Sequence, residues 1–185
     1  MIAIRRARLA DAPSIAAVHV AAWRSAYPGI LPDAYLARLS VPRQAAYYGS
    51  AIRAGTSVHV LTASGRDLPG GQNGESGRII GFITATKSTV LADGEIETLY
   101  ILDDWRERGF GRLLLAAAAA HLAEIGCRSA FLWVLRDNPS RFFYQHLGGQ
   151  AIAESHTRVA GQKLAQIAFT WDPIERLAES ASRAR

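Results

Sequence analysis

Apolar and polar positions alternate with two periods along the chain, and the switches between them outline the elements. Ile2 to Leu9 alternates loosely and reads as a first strand. Asp11 then stands where a helix N-cap is expected, with Pro13 in the first turn. Ile15, Val18, His19, Ala22 and Trp23 follow at helical spacing. Tyr27-Pro28-Gly29-Ile30-Leu31-Pro32 breaks that helix. Shorter helices are expected from Asp33 to Leu39 and from Pro42 to Ala54, the second stopped by Gly55. From Ser57 the period becomes two, through Val58, Val60 and Thr62. Ser64 to Gly77, rich in Gly, Ser, Asn and Pro, reads as a long mobile loop joining two antiparallel strands.

Arg78 to Thr86 and Glu95 to Leu102 are the next strands, turning at Ala92-Asp93-Gly94. A charged loop, Asp103 to Arg108, leads into Gly109-Phe110-Gly111 and a helix running to Ile125, with Gly126 as its stop. The Ala116 to Ala120 run is the strongest helix former in the chain, and its small side chains allow close approach to a sheet. Ala130 to Leu135 reads as a strand and Asn138 to Leu147 as a short helix closed by Gly148-Gly149. Ala151 to Val159 and Leu164 to Trp171 form a hairpin about Ala160-Gly161-Gln162. Asp172-Pro173 stops the last strand, and the residues from Ile174 read as a frayed helical tail. This order predicts an α+β fold with a single mixed, mostly antiparallel sheet flanked by helices. Residues 1–173 form one domain and 174–185 the tail. The connection from Leu102 through the Ala-rich helix to Ala130 has crossover length and is expected to be parallel and right-handed.

Composition narrows the class. The chain has 185 residues, 49% of them apolar. Surface scaling lets a chain of this size bury about 70% of its unfolded surface, enough for a core without disulfides. Cys127 is the single cysteine, which excludes a disulfide framework and a Cys-rich zinc site. His59, His121 and His146 lack ligand spacing, so no metal is expected. The longest apolar run, Leu113 to Ala120, falls far short of the ~20 residues that span a bilayer. Arg5, Arg6 and Arg8 occupy the place of a secretion signal's apolar stretch, so a cytoplasmic protein is expected. The net charge of +5 suggests nucleic acid, but the arginines scatter instead of clustering on one stretch. Neither nucleic acid nor membrane is expected as a partner.

Two segments carry chemistry. In Arg106-Glu107-Arg108-Gly109-Phe110-Gly111-Arg112, two glycines around one residue precede a helix, so backbone N–H groups converge on an anion beside three arginines. A dinucleotide turn lacks its third glycine, because Leu114 stands there, and a nucleoside-triphosphate loop lacks Gly-Lys-Ser/Thr. A phosphate or pyrophosphate remains, as does an ordinary helix start. Upstream, Glu95 and Glu97 are i and i+2 on a strand, so both are expected to project from one face. The second segment runs from Trp133 through Asn138, Arg141, Phe143 and Tyr144 to Gly148-Gly149.

With both segments in this order, the chain resembles the GCN5-related N-acetyltransferase (GNAT) family, most strongly from Glu95 to Gly149. The resemblance implies acetyl-CoA as cosubstrate, with Arg106, Glu107, Arg108, Gly109, Phe110, Gly111 and Arg112 at its pyrophosphate. Leu99, Tyr100 and Ile101 would pair through their backbone with the pantetheine arm. It places Asn138 at the cofactor amide, Tyr144 near its sulfur and Arg141 toward the phosphates. Many relatives carry proline where this chain has Asp103. The implied activity is acetyl transfer to a primary amine by direct attack in a ternary complex. A lysine-like amine is protonated at neutral pH, so Glu95 or Glu97 would take its proton, directly or through water, and Tyr144 would protonate the leaving thiolate. A backbone N–H near Tyr100 or Ile101 would hold the developing oxyanion. Trp23, Tyr27 and His156 lie where the family builds its acceptor pocket, with His19 a further candidate. The acceptor would be a small molecule or peptide, and a homodimer fits the resemblance. The competing readings are a non-catalytic acyl-CoA-binding module of the same fold and, lower, a basic nucleic-acid binder.

Overall fold

The computed structural model describes residues 1–67 and 77–182, so most of the Ser64 to Gly77 loop lies outside the described residues. Its elements are β1 (Ile2–Arg6), α1 (Ala12–Ala26), α2 (Asp33–Ala37), α3 (Val41–Arg53), β2 (Ser57–Ala63), β3 (Arg78–Lys87), β4 (Gly94–Ile101), α4 (Phe110–Glu124), β5 (Ala130–Leu135), α5 (Ser140–His146), β6 (Gln150–Val159), β7 (Gln162–Trp171) and α6 (Glu175–Ser182). Seven strands form one sheet in the order β1-β2-β3-β4-β5-β7-β6. Every neighbouring pair is antiparallel except β4–β5. The mixed, mostly antiparallel α+β sheet expected from the sequence is therefore present.

Helices cover both faces. On one face α4 buries Leu114, Leu115, Ala118, Ala119 and Leu122 against Ile96, Leu132, Val134 and Phe169. The small residues in this row allow close approach. A Cβ on Gly94 would stand 2.9 Å from the Leu122 side chain, so only glycine lets α4 sit down at the start of β4. On the other face, Ile15 and Val18 of α1 and Tyr48 of α3 pack against Val58, Val60, Ile79 and Phe82. Among the described residues no helix is long and apolar enough to cross a membrane.

Three local expectations are corrected. The residues from Ile174 are no frayed tail: α6 docks beside α4, with Ile174, Leu177 and Ala181 buried in the main core. Arg112 of α4 donates to the Ser180 carbonyl at 3.0 Å, tying the two helices further. Asp11 does not cap α1 with its side chain. It accepts two hydrogen bonds from Arg5, at 2.7 and 2.9 Å, and one from the Arg8 N–H at 2.7 Å. The turn between β6 and β7 is the two residues Ala160-Gly161, both with positive φ (52° and 79°), which matches the twist of a tight hairpin.

Leu177 is fully buried, so its truncation leaves a cavity under α6. Leu177→Ala is expected to lower unfolding free energy by about 3 kcal/mol, read from urea denaturation; an unchanged midpoint would return α6 to the status of a loose tail.

Candidate active site

The sheet opens where β4 meets β5. The two parallel strands pair at Gly94–Ala130 and Glu95–Phe131, and from Ile96 onward the β5 side of β4 has no strand partner among the described residues. A break in the β3–β4 ladder follows directly: Thr84 opposes Thr98 and Ala85 opposes Ile96, leaving Glu97 as an extra residue. Such a bulge bends a strand and increases its twist, carrying the rest of β4 away from β5. It also switches the alternation. Ile96 packs with Leu99 and Ile101 in the α4 core, whereas Tyr100 packs in the α1/α3 core. A regular strand would put Ile96 and Tyr100 on the same face. Glu97 is thereby turned toward α3, where burial raises the pKa of Tyr47 and of Tyr48 and the Glu97 charge adds to it.

The two carboxylates retain a common environment despite the bulge. Glu95 has its pKa raised by loss of solvation and then by Glu97. Glu97 reaches solvent, yet partial burial of its own carboxyl still raises its pKa, against a hydrogen-bonding pull from the Thr84 hydroxyl. Among the described residues neither has a cation within 4.0 Å. Both are tuned toward accepting a proton.

Aromatic side chains line the opening. Tyr27, capping the C-terminus of α1, accepts from Asn138 Nδ2 at 3.4 Å and so joins that end of α1 to the loop after β5. Trp23 sits one turn back, 4.9 Å from the Tyr27 ring and 6.4 Å from that of Tyr100. Its indole nitrogen is buried without a partner in full hydrogen-bond geometry, although its proximity pulls on the Tyr100 hydroxyl. Tyr144 is 8% exposed, among Phe143, Phe169 and Trp171. No side-chain hydrogen bond engages its hydroxyl among the described residues. Burial and the nearby Tyr27 hold that hydroxyl protonated well beyond the ordinary phenol range. Burial does the same to Tyr100.

At the far end of β4, the chain enters α4 through a left-handed turn. Gly109 has φ +80°, with open space where a Cβ would stand, and Glu107 adopts φ 61°. This places the backbone N–H groups of Glu107 to Gly111 at the helix N-terminus without partners among the described residues, next to its positive dipole end. Gly111 serves packing: a Cβ there would meet Phe143 Cζ at 3.1 Å. The three arginines are less equivalent than the sequence suggests. Arg106 pairs with Asp103 at 3.0 Å, Arg108 lies over the Trp105 ring at 5.0 Å, and the Arg112 guanidinium is engaged at α6. Asp103, the departure from the proline of many relatives, also accepts from the Ser25 hydroxyl, which ties the loop to α1.

Other expected site residues fall as follows. Leu99 and Ile101 pack inward while their β5-facing backbone stays free of strand pairing. Asn138 is buried and already engaged, accepting from the Ser140 N–H at 2.9 Å as well as donating to Tyr27. Arg141 stacks on Phe142, 4.6 Å from its ring. His156 is exposed on the outermost strand with no side-chain partner among the described residues, and nothing brings it to the opening. Tyr48, Thr84 and Thr98 were not singled out. Their signal was faint, because a tyrosine on a helix and a threonine on a strand read first as packing.

A mixed sheet split between its parallel strands, with a free N–H turn at the split's end and two desolvated carboxylates at its start, has the architecture of an N-acetyltransferase fold. The chain belongs to the acetyltransferase (GNAT) family. The family model matches residues 59–149. Over 180 residues, 96% of each chain, it is 31% identical to the uncharacterized N-acetyltransferase YuaI of Bacillus subtilis (strain 168). The fold is shared with a GCN5-related N-acetyltransferase from Rhodopseudomonas palustris, at TM-score 0.68 and 19% identity over 92% of this chain and 94% of that one. It is shared also with yncA from Salmonella typhimurium, solved with its cofactor acetyl-CoA, at TM-score 0.65 and 17% identity over 93% of this chain and 94% of that one.

One buried group gives the site a pH signature. His19 is desolvated and its pKa is lowered to about 4. A depressed histidine contributes stability that is present above its unfolded value near 6.5 and is lost as pH falls toward 4. Wild type should therefore lose about 2 to 3 kcal/mol relative to His19→Gln between pH 7.5 and 4.5. Urea midpoints of both proteins across that range check this, and parallel curves would contradict it.

Proposed function

We propose that the protein is an acetyl-CoA-dependent N-acetyltransferase that moves an acetyl group to a primary amine by direct attack in a ternary complex. The observation that carries this reading is the parting of β4 from β5 after two residue pairs, which leaves backbone of β4 free along the split. An extended pantetheine arm would add to that edge as a strand does, through Leu99, Tyr100 and Ile101. The unpartnered N–H groups from Glu107 to Gly111 suit the pyrophosphate, with Arg106 and Arg108 as nearby cations and Arg141 a third from α5. Arg112 contributes its position in the first helical turn, since its guanidinium lies elsewhere.

When bound, the cosubstrate supplies a thioester carbonyl as the electrophile. The chain supplies the proton traffic. An incoming ammonium must lose a proton before its nitrogen can attack, and Glu97, solvent-reaching and raised in pKa, accepts it, with Glu95 as the alternative or the water-linked second acceptor. A backbone N–H of β4 near Tyr100 or Ile101 faces the carbonyl oxygen. Tyr144, still protonated at neutral pH, gives its phenolic proton to the departing sulfur. Trp23 and Tyr27 form the acceptor's apolar wall, and the uncompensated carboxylates favour a cationic acceptor over an anionic one.

Thiol release from acetyl-CoA should be followed with cadaverine, tyramine and an alanine-initiated tetrapeptide as acceptors. Turnover is expected with at least one; tight CoA binding with no turnover on any would favour the non-catalytic binding module. Glu97→Gln should cut kcat by about 10² or more at neutral pH, with CoA affinity held within twofold by calorimetry. Tyr144→Phe should lower kcat more than it lowers CoA affinity, and equal losses would assign the ring to packing.

A further inference from the structure

Resting on the acetyl-transfer reading, a polar line on the acceptor side of β4 assigns a task to His19. The ring is 8% exposed, stacked on Trp23 with centroids 5.1 Å apart at 16°, and tilted against Tyr100 at 5.2 Å. Its Nδ1 shares a 2.7 Å hydrogen bond with Tyr48 Oη. Its Nε2 has no protein partner among the described residues. Most buried side-chain nitrogens have a hydrogen-bond partner. Here one is fixed by α3, and the other is left beside Trp23 and Tyr100, which line the opening.

The line continues past Tyr48. Thr98 approaches the Tyr48 hydroxyl, Thr98 and Thr84 share a 2.8 Å hydrogen bond, and Thr84 approaches the Glu97 carboxyl. Five groups from β3, β4, α3 and α1, Glu97 and His19 included, thus form one line. Each hydroxyl has one proton to give, and an ionised carboxylate only accepts. With Glu97 ionised, Thr84 turns its proton toward Glu97, Thr98 donates to Thr84 and Tyr48 turns its proton toward Thr98. The Tyr48 oxygen is then left to accept from His19 Nδ1–H. That order selects the tautomer in which Nε2 carries a bare lone pair.

We propose that His19 is a substrate-positioning residue whose Nε2 accepts a hydrogen bond from an N–H of the acceptor amine, its tautomer set by Tyr48 and, through the threonines, by Glu97. The device links two requirements: the carboxylate is ionised and able to take a proton in the same state in which Nε2 is able to hold the amine. It requires an acceptor bearing N–H donors, which a primary amine keeps after losing its ammonium proton and a tertiary amine does not.

Two isosteres separate this role from a structural one. His19→Asn keeps a polar group at the Nδ1 position for Tyr48 and removes Nε2, whereas His19→Gln presents one at the Nε2 position and gives up Tyr48. With the best acceptor among the three amines above, His19→Asn should raise the amine KM about tenfold, the value of one lost hydrogen bond. His19→Gln should stay within threefold, and neither should alter the acetyl-CoA KM more than twofold. The reverse order, or two variants that behave as wild type, overturns the proposal. Imidazole ¹⁵N shifts of wild type test it without any substitution. They should show the Nδ1–H tautomer and an Nε2 signal that moves on adding the amine but not on adding CoA, and an unmoved Nε2 signal also overturns it. Absence of wild-type turnover on all three amines would instead sink the acetyl-transfer reading, and this inference with it.

Discussion

The site depends on two parallel strands that meet for two residue pairs and then part. Both ends of that geometry have a local cause. At the closed end, Gly94 brings β4 under Leu122 of α4, so the Ala-rich helix clamps the strand where it still pairs with β5. At the open end, the extra residue Glu97 bends β4 directly after its last pairing with Phe131. A sheet this size would otherwise satisfy its backbone by pairing throughout. The unpaired edge is retained because α1 and the loop after β5 meet across the split through Tyr27 and Asn138.

The same bulge arranges the chemistry. By reversing the side-chain alternation it puts Ile96, Leu99 and Ile101 into the α4 core and turns Glu97 and Tyr100 toward α1 and α3. Charge is then graded along β4. Carboxylates without cationic partners lie at its start, a belt of aromatic rings at its middle, and free N–H groups with Arg106 and Arg108 at its end. A ligand with an anionic tail and a neutral acyl head fits that gradient in one orientation.

Much of the architecture was legible from periodicity alone. The bounds of β2 and β5 match the expected Ser57 to Ala63 and Ala130 to Leu135, and the glycine punctuation at Gly55, Gly126 and Gly148 fell where elements end. The misreadings share a physical origin. Asp11 was assigned a cap by its local sequence, but a guanidinium from β1 competed for it more strongly. The residues after Ile174 looked weakly patterned because a short helix presents only Ile174, Leu177 and Ala181, which register as a stripe only once α4 is there to receive them. Arg112 was grouped with the turn by proximity in sequence, while its long side chain reaches 68 residues along the chain to α6.

The glycine turn, the paired glutamates and the tyrosine of α5 were visible in the chain because backbone conformation and charge are local properties, carried by residue type and spacing. Which way Glu97 faces, which arginines stay near the turn, and how Tyr48 and the two threonines join His19 were decided only on folding. Those outcomes depend on a register shift between strands and on contacts between elements far apart in sequence, and a one-dimensional pattern holds no term for either.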